Sequence, residues 1–452
     1  MRQMRMNHRI PLLLLTLLLG CLSPLRSQWN VNESVLSRHT WYKIGVTGDG
    51  IYALDKAALS AAGVHVETLD PNRIQLFGNL PGTLPEANAT ERFDDLTEIA
   101  LKVEGGEDGT FDDHDRILFY GSGPVNMVLN ASNYYEYQRN PYSDTTYYFL
   151  CVDGETDGLR MASRPSMATT NFDAVVSSFP DYVYHESEEI SPYASGRTWY
   201  GDMITKDEGF KEFVFELPNI DKTQVLRIHS EVLGRCATGF PYSLRINDNL
   251  LVDQKLIDAF SDHTYGMPHL TDKMFFTDTD RLPVRYELGP TEANPLLFID
   301  YFVINCWREL KYDGVEMAFR VLPSQMVTDT VKVLLRGVVG DVVCWDVSNP
   351  LRPFVQEFIP LANNAYFGLA EHSERHYHLF QSSDIKPVTS LRPIGNQNLH
   401  GIFSTDFLIV TPRVFAEAAE ALAAFHREEG LDCEVVDVEA VYNEDKDPFP
   451  HP

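Results

Sequence analysis

Short runs of β-branched and aromatic residues recur along most of this chain, cut by Gly, Pro, Asn and Asp, and that rhythm is what most restricts its fold. Repeated short strands with such punctuation predict sheets packed as sandwiches. Runs of this kind stand at 73–78, 117–120 and 147–152, then at 213–217, 225–232, 242–246, 284–288 and 297–305, and again at 331–336, 342–345 and 377–380. A single helical patch at 54–62, stopped by Gly63, interrupts the first group. The expected fold is mainly β and multidomain. A β-rich amino-terminal domain covers 28–172, of which 153–172 reads as a polar linker. A β-sandwich covers 173–310 and a small immunoglobulin-like sandwich 311–395.

The period changes near residue 400. An apolar strand at 407–410 leads through Pro412 into a helix that Gly430 closes, and a second apolar strand follows at 434–438. Phe415, Ala418, Leu422 and Phe425 mark the expected inward face of that helix. A strand, helix, strand unit of this length predicts a right-handed parallel crossover. Residues 400–452 therefore read as the first unit of an α/β domain that stays incomplete, because parallel sheets are normally covered on both faces.

Export is written into residues 1–27. Arg2, Arg5 and Arg9 precede an apolar run at 12–19, followed by small and polar residues, which is the order of a signal peptide. The run falls short of the roughly 20 apolar residues a membrane-spanning helix needs. Cleavage before Gln28 is expected, with lipid attachment at Cys21 as the competing reading. Either places the body outside the cytoplasm, with no transmembrane segment in the mature chain.

The formal net charge is −28, and loss of Arg2, Arg5, Arg9 and Arg26 makes it more negative. Nucleic acid is thereby excluded as an expected partner, since its binding requires basic patches that neutralise phosphates. Cysteines at 21, 151, 236, 306, 344 and 433 show no close pairing and no CxxC. A disulfide scaffold is not indicated. Cys151, Cys306 and Cys344 sit in apolar runs and read as small buried hydrophobes.

Several groups invite chemistry and are set aside. Six acids gather between Glu104 and Asp115 around Gly105, Gly106 and Gly109, but Asp108, Asp112, Asp113 and Asp115 do not reproduce the spacing of an EF-hand calcium loop. A plain acidic turn is the preferred reading, with calcium the alternative. His372, His376 and His378 suggest a metal cluster without a clear further ligand, and a solvated edge strand is preferred. His426 and Cys433 are the thiol and imidazole candidates in the α/β segment, and structural placement is preferred for both. Tyr134, Tyr135 and Tyr137, with Trp199 and Tyr200, could stack on sugars or peptides, yet core packing is preferred. The reading assigns no catalytic, cofactor-binding or metal-binding residue.

Several phrases of the sequence resemble gingipain-type cysteine peptidases, in particular the type IX secretion system sortases. They include WYKIGVTGDGIYAL at 41–54, DGTFDDHDRILFYG at 108–121, NPYSDTTYYFL at 140–150, SGRTWYGD at 195–202, VCWDVSNP at 343–350, NQNLHG at 396–401 and the long segment at 406–444. The resemblance implies an extracytoplasmic protein of Bacteroidetes-type bacteria, at the cell surface or outer membrane. Such a protein removes carboxy-terminal sorting domains from exported cargo and attaches the cargo to the surface, working with an outer-membrane secretion partner. It also implies that residues 400–452 open a caspase-like peptidase domain whose catalytic His and Cys lie beyond residue 452. The chain alone is then expected to be inactive. A surface binding protein for glycan or protein, carrying a vestigial peptidase fragment, is the alternative reading.

Overall fold

The computed structural model describes residues 33–444, apart from 81, 83–89, 91–92, 139, 141, 168, 170, 193, 195–197, 261–263 and 371. The expected signal peptide, its two cleavage readings and Cys21 lie outside the described residues. The chain forms two compact units. The larger, called the body, falls within His39–Glu86 and Thr97–Asn396, and the smaller within Met1–Arg38, Ala87–Leu96 and Gln397–Lys446.

The body is built from pairs of sheets with apolar residues between them. Its first sheet runs in the order Ser390–Ile394, Trp41–Val46, Thr146–Cys151, Gln75–Gly78, Thr97–Ile99. Its partner sheet runs Lys386–Pro387, Gly50–Asp55, Arg116–Gly121, Lys102–Glu104. Ile44, Val46, Leu54, Phe119 and Leu150 fill the space between them. The helix Lys56–Ala61 starts where the Asp55 carboxylate accepts the Ala58 N–H at 2.8 Å, a side-chain cap on one of the four N–H groups a helix start leaves unpaired. Ser390–Ile394 joins this sheet from nearly 350 residues away, with Trp41 opposite Ile394.

The second pair contains the longest strand, Leu296–Glu309, flanked by Ser178–Glu186 and Leu226–Arg235. It faces a four-stranded sheet ordered Phe210–Glu216, Arg281–Leu288, Phe240–Ile246, Asn249–Ile257. Alternating burial along Leu226–Arg235 and Phe240–Ile246 shows the expected period of two. Phe302 is fully buried in this core against Phe213, Phe215 and Tyr286.

In the third pair, one sheet is ordered Ala162–Arg164, Phe354–Gln356, Val343–Asp346, Arg375–Phe380, Met317–Val321, and the other Ala174–Val176, Val331–Arg336, Asn364–Leu369, Ile359–Leu361. Two details differ from expectation. The polar stretch 153–172 contributes the strand Ala162–Arg164, which pairs in parallel with Phe354–Gln356. The strand Arg375–Phe380 is interior rather than an edge, bonded on one side to Met317–Val321 and on the other to Val343–Asp346. Its Tyr377 and Leu379 therefore point into the core, and even His378 is 2% exposed.

In the smaller unit, Phe407–Thr411 and Cys433–Asp437 pair in parallel in register, joined through the helix Ala416–Glu428. The crossover is present, but the helix presents a different face from the expected one. Ala419 and Ala423 are its buried residues, whereas Phe415, Leu422 and Phe425 are exposed. Phe415 belongs to a preceding 3-10 turn, Arg413–Phe415, which breaks the helical phase. The small alanines let the helix axis approach the two strands closely.

Candidate functional site

Polar side chains converge where the amino-terminal sheet pair meets the third pair within the body. The meeting surface is apolar at its centre: Ile51, Leu118 and Tyr120 pack with Trp345, Val347 and Phe380. Beside it lies a cavity with two adjoining lobes of about 360 and 270 Å³, which share Asp49, Tyr182, Arg320 and His376.

Strand pairing places these groups. Arg320 stands directly opposite His376, and Ala318 opposite His378. Because successive side chains alternate between faces, Phe319 and Tyr377 turn to the sandwich core while Arg320, His376 and His378 turn to the cavity. Asp49 comes from the turn between Trp41–Val46 and Gly50–Asp55, where its carboxylate accepts the Gly123 N–H at 2.7 Å.

The charges are internally matched. Arg320 Nη1 donates to Glu374 Oε1 at 2.8 Å, and its guanidinium lies 5.2 Å from the Tyr135 ring centre. His378 Nδ1 and Glu316 Oε1 are 2.8 Å apart, and Lys386 Nζ lies 2.9 Å from Glu316 Oε2. Burial pulls the Glu316 carboxyl up, but its bonds to His378 and Lys386 outweigh this and hold it below the usual range. Asp49 lines both lobes and keeps an exposed edge, yet the protein packed around it desolvates the carboxylate and raises its pKa despite the Gly123 bond. Burial, reinforced by the neighbouring His378 and Arg320, pushes His376 well below the ordinary imidazole value. Burial likewise holds the Tyr120 hydroxyl protonated far above its usual range.

This arrangement contains the imidazoles of His376 and His378, the Arg320 guanidinium, the Lys386 ammonium and the carboxylates of Asp49, Glu316 and Glu374, and the Ser348 hydroxyl at its edge donates to Asp346 at 2.6 Å. Its chemistry is that of an ionic joint between sheets, in which Arg320 pairs with Glu374 and Glu316 with both His378 and Lys386, while His378 Nε2 has no hydrogen-bond partner among the described residues. The sequence reading did not anticipate the cavity. Its groups lie on strands far apart in the chain, and the one local signal was polar residues set into otherwise apolar runs, as in Met317–Val321 and Arg375–Phe380.

The other sequence candidates fall elsewhere. His372 Nδ1 contacts the Met326 carbonyl at 2.6 Å and does not share the partners of His376 and His378. In the acidic turn, Asp108 accepts from Thr110 N and Oγ1, and Asp115 accepts from Asp112 N, so these carboxylates hold the turn's own backbone. Tyr135 is buried and packs at a tilt against Tyr182, ring centres 4.6 Å apart, while Tyr137 packs on Tyr184 and Tyr301. Trp199, 41% exposed, is turned to solvent.

In the smaller unit, His426 packs 4.6 Å from the Phe407 ring and its Nδ1 lies 3.3 Å from Glu429. Cys433 is buried, its thiol directed to the Leu431 carbonyl at 3.8 Å. A second imidazole is held more firmly. His400 Nδ1 lies 2.9 Å from Glu444 Oε2 and its Nε2 lies 2.7 Å from the Asp94 carbonyl. Glu444, 4% exposed, also accepts the Leu399 N–H and the Gln397 amide. Burial pulls His400 down, but the bonds to Asp94 and Glu444 prevail and raise its pKa.

Comparison with known proteins adds two findings. Residues 403–448 match the model of peptidase family C25. The fold matches the crystal structure of dimeric latent PorU from Porphyromonas gingivalis with a TM-score of 0.78 and 23% identity, over 93% of this chain and 39% of that one. The chain thus spans about two fifths of the length of that structure. A family 35 carbohydrate-binding module from Clostridium thermocellum aligns with 28% of this chain and 98% of its own, but at a TM-score of 0.19 and 11% identity. Among curated proteins no match is found.

Proposed function

We propose that this chain is the amino-terminal, non-catalytic portion of a type IX secretion system sortase of the PorU kind. The observation that carries the reading is the coincidence of two signals in one chain. A PorU-like fold runs through the β body, and a peptidase C25 match begins at residue 403. In this reading the body docks the enzyme on an outer-membrane secretion partner and positions exported cargo. The α/β unit belongs to the cysteine peptidase that removes carboxy-terminal sorting domains. The protein works outside the cytoplasm after export. No helix among the described residues is long and apolar enough to cross a membrane.

The chain by itself is inactive in this proposal. A thiolate nucleophile needs an adjacent imidazole or comparable activation, and the contacts of Cys433 and His426 go to a backbone carbonyl and a glutamate. The test is cleavage of a cargo protein carrying its sorting domain by the purified chain. No cleavage is expected. Turnover that disappears in Cys433→Ala would overturn the assignment, because the nucleophile would then lie within these residues.

A further inference from the structure

Away from the cavity, three side chains of metal-binding type face one another where the first strand of the body begins. The register that sets Trp41 opposite Cys151 brings the residues before Trp41 alongside those after Cys151. His39 Nδ1 lies 3.8 Å from Asp153 Oδ1, and Cys151 Sγ lies 3.6 Å from that same oxygen. All three donor atoms fall within 4.8 Å of one another.

Geometry favours a tetrahedral cation here. Bonds of about 2.3 Å to sulfur and about 2.1 Å to a carboxylate oxygen, at a tetrahedral angle, hold those two atoms about 3.6 Å apart. That is the separation found between Cys151 and Asp153. The nitrogen to oxygen edge would be roughly 3.4 Å, against 3.8 Å found, so the His39 ring has to swing inward to complete the site. The carboxylate is already oriented, since Thr40 donates its N–H to one oxygen and its hydroxyl to the other, each at 2.8 Å. His39 adopts φ of +78°, a left-handed conformation uncommon for a residue with a side chain.

We infer that His39, Cys151 and Asp153 form a binding site for a zinc-class divalent cation, with its fourth position open to water. The donor set selects against calcium and magnesium, which take oxygen ligands, and suits a borderline-soft ion. Cys151 is fully buried while Asp153 is half exposed, so the ion enters from the carboxylate side. Its role is a clamp that ties the entry of Trp41–Val46 to the exit of Thr146–Cys151, independent of the sortase reading.

Binding requires the thiol to give its proton to solvent as the sulfur to metal bond forms.

The test is Co2+ titration of the purified full chain with its thiols kept reduced, followed by competition with Zn2+. One equivalent of Co2+ should produce thiolate to metal charge-transfer absorption that Zn2+ abolishes. The absorption should be lost in Cys151→Ser and in His39→Gly, the latter relieving the left-handed backbone and so preserving the fold. Thr40→Val should weaken binding by up to about 10-fold, since it removes the hydroxyl bond to the carboxylate and leaves the backbone N–H bond in place. If Cys151→Ser fails to fold, His39→Gly and Asp153→Asn decide the matter. Absence of the absorption at saturating Co2+, or its persistence in His39→Gly, would overturn the site.

Discussion

The body and the smaller unit treat apolar surface and histidine in opposite ways. In the body, large side chains such as Phe302, Tyr286 and Trp345 are sealed between paired sheets. In the smaller unit, Leu408, Val410, Leu422 and Phe425 are each more than two fifths exposed, on a two-stranded sheet and the helix that joins its strands. Burial accordingly dominates His376, whereas paired acceptors dominate His400. The contrast teaches that bulky apolar side chains are sealed inside the body, while along the crossover 407–437 the sealed apolar ones are the small Ala419, Ala423 and Cys433, with Val436.

The hardest test of that contrast is truncation within the body. Phe302→Ala should cost about 3–5 kcal/mol, read as a lower urea midpoint for loss of the β signal. A cost below 1 kcal/mol would break the comparison. Glu444→Ala should be the corresponding blow to the smaller unit, roughly 3 kcal/mol, since it strips partners from the Leu399 N–H, the Gln397 amide and His400 at once. Hydrogen exchange read by mass spectrometry should show the opening confined to peptides around 397–444.

A subtler effect is a split in pH response, of up to about 1.4 kcal/mol per pH unit for each histidine. His376 has a depressed folded pKa, so its neutral form is tolerated above the unfolded value of about 6.5. Body stability is then lost as pH falls from there towards the folded value. His400 has a raised folded pKa, so its contribution is fully present below about 6.5 and is lost as pH rises through the folded value. Exchange between pH 5 and 8 should therefore speed up in opposite directions in the two regions. His376→Phe and His400→Gln should each flatten one trend. The smallest expected effect belongs to Phe425→Ser, within about 0.5 kcal/mol of the parent because the ring is 55% exposed. Its visible result should be weaker binding of a hydrophobic dye.

Much of the fold was legible in the sequence, because strands such as Val331–Arg336 and Phe240–Ile246 carry their own period and turn signals. The crossover at Phe407–Asp437 was legible for the same reason. Neighbours are another matter. Nothing local marks Arg375–Phe380 as interior, since that follows from pairing with Val343–Asp346 and Met317–Val321 on either side. The buried face of Ala416–Glu428 carries Ala419 and Ala423 rather than the bulkier Leu422 and Phe425, so side-chain size does not mark it. The cavity and the His39, Cys151, Asp153 set leave no mark in residue spacing, being products of strand register.

The pairing of Ser390–Ile394 with Trp41–Val46 has a consequence for how such a chain matures. If it emerges amino end first, Trp41–Val46 must wait for nearly the entire body before its second flank is covered, and a bare strand flank is an invitation to mispairing. When the late strand arrives it brings Pro393, which lacks an N–H and so makes a poor template for any further chain. The last stitch of the body thus also blunts its border, and a holdase would be most needed just before residue 390 appears.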